Sequence, residues 1–292
     1  MIVSQSHKFV FVHIPKNAGT TVETLLMDHL DPAQDLHVSE GATLPDNREA
    51  FGIGEDAKLL KHITSHRLRR ALYNGLYDQF FSFAFCRNPY SRCYSAYTFA
   101  VRRAQADQRR ETKFGEDSDR DRSKFLTRSF DDICANLPEI AKEHRLFRPQ
   151  TFWLREPDSV DYVGRLEHLA EDMRAIYTHL GLPLQQLDHI PTENQKAAKG
   201  AWKEIPLSAQ SAIREFYASD FDRFGYDTAF DAAQEGPKNL SPLLAPSART
   251  SRKAGPERTV RSARRARPAR ADKARSADRS AKERAIESKS ES

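Results

Sequence analysis

The residues best suited to chemistry lie in a loop between a short apolar run and a helix-like stretch. The run, Phe9–Val12, is wholly apolar, which is typical of a strand buried on both faces. The loop comprises Pro15, Lys16, Asn17, Ala18, Gly19, Thr20 and Thr21. Gly19 would let the backbone approach a ligand closely, and free N–H groups at a helix start attract anions. Lys16 adds a mobile positive charge, and Thr20 and Thr21 add hydroxyl donors. The pattern predicts a cradle for a phosphate-type anion, and the alternative is an ordinary turn capped by Thr20.

This loop differs from the phosphate-binding loop of nucleoside triphosphatases. In those enzymes Lys directly follows the last Gly, and the next hydroxyl binds Mg²⁺. Here Lys16 precedes Gly19 by three residues. A second apolar run, residues 80–86, ends in Arg87, whereas the triphosphatases place a metal-binding Asp at the end of a neighbouring strand. The sequence therefore predicts a second phosphate site and no metal.

Arg87 stands directly before a predicted helix. Asn88 is a good N-cap, and Pro89 suits the first helical position. Ser91 and Ser95 are four residues apart, so they share one face of that helix. An Arg at the strand end and a Ser from the second turn would clamp one phosphate through charge-assisted hydrogen bonds.

Together the two segments resemble the sulfotransferases that use 3′-phosphoadenosine 5′-phosphosulfate, particularly the carbohydrate sulfotransferases. The resemblance covers about residues 6–230, and about 70 residues separate the two segments, as in that family. It implies that residues 15–21 bind the 5′-phosphosulfate, and that Arg87 and Ser95 bind the 3′-phosphate. It also implies transfer of a sulfuryl group to a hydroxyl acceptor, a saccharide in that branch.

Two residues are candidates for the chemistry itself. Lys16 is expected to stabilise the bridging oxygen as adenosine 3′,5′-bisphosphate leaves. His66 ends a predicted strand over residues 59–66 and is the expected base, because the similar carbohydrate sulfotransferases carry a catalytic His there. Ser65 precedes it where Gly is often found. His62, two residues back on the same strand face, is the alternative base, and a structural role for either histidine is also open.

Alternating strands and helices must position these residues. Strands are predicted over residues 8–13, 59–66, 79–86 and 159–164, and helices over 20–30, 89–108, 130–137, 167–180 and 208–224. An insert or loop is expected over residues 31–56, and a solvated helix end or flexible loop over 105–124. The pattern predicts an α/β, P-loop-like three-layer fold with a central parallel sheet. Both motifs fall at the carboxyl edge of that sheet, where ligands bind in such folds.

Composition divides the chain of 292 residues into a sulfotransferase-like domain, residues 1–235, and a basic tail, residues 236–292. Residues 249–292 hold 15 of the 46 Lys and Arg but only 6 of the 41 Asp and Glu, a net charge of +9. Because the whole chain carries +5, the rest carries −4. The tail has too few large apolar residues to offset its folding entropy, so disorder is expected. It either contacts an anionic partner or only aids solubility.

Two other function classes compete with sulfuryl transfer. A variant P-loop kinase is disfavoured by Arg87 and by the position of Lys16. A nucleic-acid-binding protein acting through the tail is disfavoured by the acidic body, which lacks a basic, aromatic-interleaved surface. No run approaches the ~20 apolar residues that span a bilayer, and the start does not resemble a signal peptide. Many animal members of the resembled family carry an N-terminal membrane anchor. This sequence shows no such segment, so we expect a cytoplasmic enzyme.

Overall fold

Five strands form one mixed sheet. The computed structural model describes residues 1–39, 46–53, 61–114, 122–156, 159–190 and 204–233, so the predicted tail at 236–292 lies outside the described residues. The five strands are β1 Ile2–Ser4, β2 Phe9–Val12, β3 Asp35–His37, β4 Phe81–Cys86 and β5 Tyr162–Arg165. They are ordered β3-β1-β2-β4-β5; β2 pairs in parallel with β4 and β4 with β5, whereas β1 is antiparallel to both of its neighbours.

Helices cover both faces of this sheet. They are α1 Gly19–Met27, α2 Ser65–Ala71, α3 Leu76–Gln79, α4 Pro89–Phe114, α5 Lys124–Thr127, α6 Phe130–Ala135, α7 Leu137–Glu143, α8 Leu169–Leu180, α9 Leu207–Phe216, α10 Ala218–Phe224 and α11 Phe230–Ala233. Short 3-10 helices span Asp46–Phe51, Tyr73–Gly75, Arg145–Phe147, Gln150–Phe152, Leu166–His168 and Leu184–His189. No helix in the described ranges is both long enough and apolar enough to cross a membrane.

The alternation of side chains along β2 and β4 divides the core into two layers. Phe9 and Phe11 of β2 pack with α1 and α8 on one face, whereas Val10 and Val12 pack with α2, α4, α6, α7, α9 and α10 on the other. Each fully buried large apolar side chain contributes about 1.5–3 kcal/mol. Both faces of the central strands are therefore apolar, which confirms the predicted three-layer α/β fold.

The residue patterns of the sequence predicted most of these elements. The strands predicted at 8–13, 79–86 and 159–164 correspond to β2, β4 and β5, and the helix predicted over 208–224 is two helices, α9 and α10, that meet at Tyr217. The sheet is mixed because β1 runs opposite to the others. β1 and β3 were not predicted, since three residues are too few to show a period of two; β3 lies inside the predicted insert at 31–56.

The strand predicted over residues 59–66 is wrong. Residues 59 and 60 lie outside the described residues, residues 61–64 form no strand, and Ser65 begins α2. Thr64 caps that helix by accepting a hydrogen bond from the Arg67 backbone N–H at 3.3 Å. A Ser or Thr at this position starts helices, and that local signal outweighed the apolar residues that suggested a strand.

Candidate active site

The loop that follows β2 has an unusual backbone. Lys16 and Ala18 both adopt left-handed conformations, with φ of 69° and 59°. Such a conformation costs a residue other than glycine about 1–2 kcal/mol. Ala18 is also the N-cap of α1 and offers no side-chain hydrogen bond, so the predicted alternative of a Thr20 cap is not what forms. The first N–H groups of α1 thus remain available to an anion.

Gly19 is required by a neighbouring ring. A Cβ atom at Gly19 would lie 2.0 Å from Nε2 of His13, which is impossibly close. Glycine is therefore needed here to make room for a buried imidazole, and close approach of the Gly19 backbone to a ligand stays a prediction. Thr20 is exposed and Thr21 is half-buried in the first turn of α1.

The His13 ring is held by the buried carboxylate of Glu23. Its Nδ1 lies 2.8 Å from Oε1 of Glu23 on α1. Burial lowers the pKa of His13 to about 3, although the contact with Glu23 opposes that shift. Burial alone would raise the pKa of Glu23, but the hydrogen bonds and charges of His13 and the Met1 amino group lower it overall, and Lys61 Nζ lies 3.0 Å from its Oε2. The hydrogen-bonded pair of His13 and Glu23 therefore packs against Gly19 and supports the loop.

Arg87, at the end of β4, reaches the same loop. Its Nη1 donates to the Lys16 carbonyl oxygen at 3.3 Å, and its Nε donates to Oγ of Ser91 at 2.9 Å. The side chain is buried, and burial lowers its pKa to about 10 while Glu167 opposes the shift. No carboxylate lies within ion-pair distance of Arg87 in the described residues. A buried cation without a counter-ion is costly, so this geometry favours an anionic ligand.

The start of α4 holds Arg87 in place. Asn88 caps the helix as predicted, because its Oδ1 accepts from the backbone N–H groups of Tyr90 at 2.9 Å and Ser91 at 3.3 Å. The N–H of Asn88 itself donates to Oε1 of Glu167 at 2.8 Å. One helical turn beyond Ser91, Ser95 is half-buried. The predicted Ser95 therefore lies on the helix that follows Arg87, but the serine that contacts the guanidinium is Ser91.

A second buried arginine, Arg92, lies on α4 and supports the loop backbone. Its Nε donates to the Pro15 carbonyl oxygen at 3.2 Å, and its Nη2 donates to the Leu146 carbonyl oxygen at 3.4 Å. It thereby ties the first residue of the predicted cradle to α4. Lys16 also approaches this helix, with its Nζ 4.2 Å from the centre of the Phe99 ring.

A buried amide, which the sequence pattern did not single out, joins the two loops. Gln150 accepts hydrogen bonds through Oε1 from Asn17 Nδ2 at 2.7 Å and from the Arg87 backbone N–H at 2.9 Å. Its Nε2 donates to the Arg87 carbonyl oxygen at 2.8 Å. Asp220 in turn accepts from the Gln150 backbone N–H at 2.7 Å. Asn17 completes the bridge by donating to the Phe85 carbonyl oxygen at 2.7 Å.

The bridge yields a stability prediction. Gln150→Leu would leave one buried N–H of Asn17, which keeps its bond to Phe85, and two buried backbone groups of Arg87 without partners. Each buried polar group that loses its partner costs about 1–3 kcal/mol, so we expect a loss of about 3 kcal/mol or more in the free energy of unfolding by urea.

The matched control is Gln210→Leu. Gln210 is half-buried and its side chain donates one hydrogen bond, to the Ile205 carbonyl oxygen at 2.7 Å, so a loss of about 1 kcal/mol is expected. Equal losses in the two variants would show that Gln150 is an ordinary buried amide.

The two candidate bases, His62 and His66, have different surroundings. The His62 ring packs edge-on against the His13 ring with centroids 4.5 Å apart, and its Nδ1–H donates to the His13 carbonyl oxygen at 3.0 Å. His66 lies in the first turn of α2, half-buried, and lines a cavity together with Thr64 and Phe152. The structure thus places His62 against the residue that leads into the loop, whereas His66 lies on α2; neither histidine is on a strand.

Comparison with known proteins adds the family. The model of the sulfotransferase family matches residues 1–227. The chain belongs to the sulfotransferase family. This confirms the family predicted from the two motifs, although the match does not single out the carbohydrate branch. No match to this sulfotransferase is found among curated proteins or among solved structures.

Family membership gives this sulfotransferase a general activity. It transfers a sulfuryl group from a sulfonate donor to a hydroxyl-bearing acceptor. In the described part of the chain, no three or more His, Cys, Asp and Glu side chains are grouped so that they could hold a metal ion.

Proposed function

We propose that this sulfotransferase moves the sulfuryl group of 3′-phosphoadenosine 5′-phosphosulfate to a hydroxyl of a saccharide. The observation that carries the donor assignment is the buried Arg87 guanidinium, which lies beside the Lys16 loop and forms no ion pair with a described carboxylate. Two anion-attracting groups at one sheet edge suit a nucleotide with phosphate at two positions. The saccharide assignment is supported by the motif resemblance to carbohydrate sulfotransferases.

Each cradle has its own part in donor binding. Residues 15–21 would hold the phosphosulfate through the N–H groups at the start of α1, with Lys16, Thr20 and Thr21 adding donors. Arg87 would hold the 3′-phosphate, and Ser95 would add a hydroxyl donor from α4, the helix that follows Arg87. The side chain of Asn17 already holds the loop to β4, and its Oδ1 is buried without a partner in the described residues.

The 3′-phosphate assignment predicts a change in nucleotide preference. The wild type should bind adenosine 3′,5′-bisphosphate more tightly than adenosine 5′-monophosphate, without Mg²⁺. Arg87→Met should reduce that preference about 10- to 100-fold, which is what hydrogen bonds to a charged group are worth. Calorimetric titration of both nucleotides measures it.

Arg165→Met is the control for that experiment. Arg165 ends the neighbouring strand β5 and donates to the Phe224 carbonyl oxygen at 2.9 Å, so its loss should leave the preference for the bisphosphate intact. If the wild type binds the two nucleotides equally, the donor assignment fails.

Lys16 would act on the chemical step. Its ammonium is expected to stabilise the negative charge on the bridging oxygen as that oxygen departs with the nucleotide. We expect Lys16→Ala to lower kcat by about 10²–10³ with little change in folding, as for removal of a donor that acts on transition-state charge.

The chain offers a closely matched control for Lys16. Lys8 also has a left-handed backbone, with φ of 55°, and its Nζ lies 6.0 Å from the centre of the Phe80 ring. It precedes β2, at the other end of that strand from Lys16. Lys8→Ala should keep the wild-type kcat; a similar decrease in both variants would point to backbone strain and not to transition-state charge.

His66 is the proposed base, with His62 as the alternative. His66 lines a cavity into which an acceptor can enter, whereas His62 packs against His13 and uses Nδ1 to hold the loop backbone. A positioned general base contributes about 10²–10⁴ to the rate. We therefore expect His66→Gln to lower kcat by that factor, and His62→Gln to lower mainly the unfolding temperature. The reverse result would make His62 the base.

A further inference from the structure

A strongly cationic cavity opens beside α2. Its volume is about 450 Å³, within the range of small-ligand sites. Five arginines and one histidine supply most of its described lining, which includes no Asp or Glu: His66, Arg67, Arg70, Arg145, Arg148 and Arg155. Like charges this close together repel each other, so an anion in the cavity would be stabilised.

These guanidinium groups are held in place by the fold. Arg67 and Arg70 are three residues apart on α2, so they lie on one face of that helix. Arg145 donates through Nη2 to the His62 carbonyl oxygen at 3.2 Å, and Arg148 donates through Nε to the Ala141 carbonyl oxygen at 3.1 Å. The Arg148 guanidinium also stacks over Phe152, 4.6 Å from the ring centre. The positive charges of Arg145 and Arg148 are therefore held at fixed positions.

Two carboxylates near α2 pair with an arginine outside the cavity lining. Oε2 of Glu156 lies 3.7 Å from Arg69, and Asp78 lies 3.1 Å from the same arginine. Arg69 is not part of the cavity lining. In the described ranges, Arg67 and Arg70 form no ion pair, and both are exposed. Two guanidinium groups on one helix face are thus available to a ligand.

The cavity adjoins the donor-binding loops through a shared segment. Arg148 and Phe152 line the cavity, and Gln150 between them binds both Asn17 and the backbone of Arg87. On the other side, His62 contacts His13 and is followed by the lining residues Thr64 and His66. A ligand in the cavity therefore sits next to the loops that hold the donor.

We propose that the cavity binds an anionic group of the acceptor, so that the substrate is an acidic saccharide bearing carboxylate, sulfate or phosphate near the hydroxyl that is modified. This inference rests on the proposed function. Guanidinium groups bind such oxyanions in bidentate fashion, which fixes orientation as well as adding affinity. The acceptor's own charge would then place its hydroxyl beside His66.

A matched pair of oligosaccharides tests this proposal on the full chain. Cellohexaose and its C6-oxidised counterpart, the glucuronate hexamer, differ only at C6, where a carboxylate replaces the primary alcohol. The glucuronate hexamer should bind the wild type and cellohexaose should not. Arg67→Gln/Arg70→Gln should weaken binding of the hexamer about 10- to 100-fold. Arg128→Gln/Arg174→Gln, at two exposed arginines outside the cavity, should bind it like the wild type.

A polyanion is attracted to the basic tail as well as to the cavity. Residues 249–292 carry a net charge of +9 and attract any polyanion, so only the affinity that the cavity variant removes counts. Equal binding of both saccharides, binding of neither, or no effect of Arg67→Gln/Arg70→Gln would overturn the proposal. If inorganic phosphate at equal charge concentration displaces the hexamer as well as free hexamer does, the cavity binds free anions and the acceptor assignment is wrong.

A parallel titration keeps the two proposals separate. Adenosine 3′,5′-bisphosphate is titrated into the same samples. If it fails to bind the wild type while the glucuronate hexamer binds through the cavity, the donor assignment fails and the cavity assignment stands. If the nucleotide binds and the cavity variant has no effect on the hexamer, only the cavity assignment fails.

Discussion

The site depends on holding two cationic segments at a fixed separation even though they repel each other. Lys16 lies in the loop after β2, and Arg87 directly follows β4. No described carboxylate pairs with Arg87. The neutral amides of Gln150 and Asn17 bridge the segments. An amide both donates and accepts, whereas a carboxylate only accepts and an ammonium only donates. A neutral bridge therefore fixes the geometry without cancelling the charge that an anionic ligand requires.

The protein retains several unfavourable features at this edge of the sheet. Lys16 and Ala18 have left-handed backbones, Arg87 is a buried cation, and Asn17 Oδ1 has no partner in the described residues. Such features persist at functional sites because the surrounding fold holds them in place. Here the support comes from β2, β4 and the packed rings beneath the loop, and an anion at the helix start would offset part of the cost.

Charge is distributed unevenly over the molecule. Residues 1–248 carry a net −4, yet the segments around Lys16 and Arg87 and the α2 cavity are both lined by cations. Clefts lined by one sign of charge concentrate the field and raise the local concentration of oppositely charged ligands. Adjacent cationic sites are consistent with a reaction in which donor and acceptor are both anions, since bringing such substrates together in water is opposed by their repulsion.

What could be predicted from the sequence was local. The apolar runs of β2 and β4, the Asn88 cap and the position of Arg87 after its strand are all patterns of neighbouring residues, and they located the sheet edge and both segments. Where a local signal was ambiguous, as over residues 59–66, a capped helix formed in place of the predicted strand. The short edge strands gave no periodic signal at all.

The sequence by itself determined the family, the central strands and the two anion-attracting segments, because each depends on residues close together in the chain. Only the tertiary structure decided that Gln150, 133 residues from Asn17, joins those segments. It alone showed that Gly19 makes room for His13, that Ser91 contacts Arg87, and that arginines from α2 and from residues 145–155 share one cavity. The physical reason is that these contacts are set by how distant elements pack, and no short-range periodicity or capping rule records that packing.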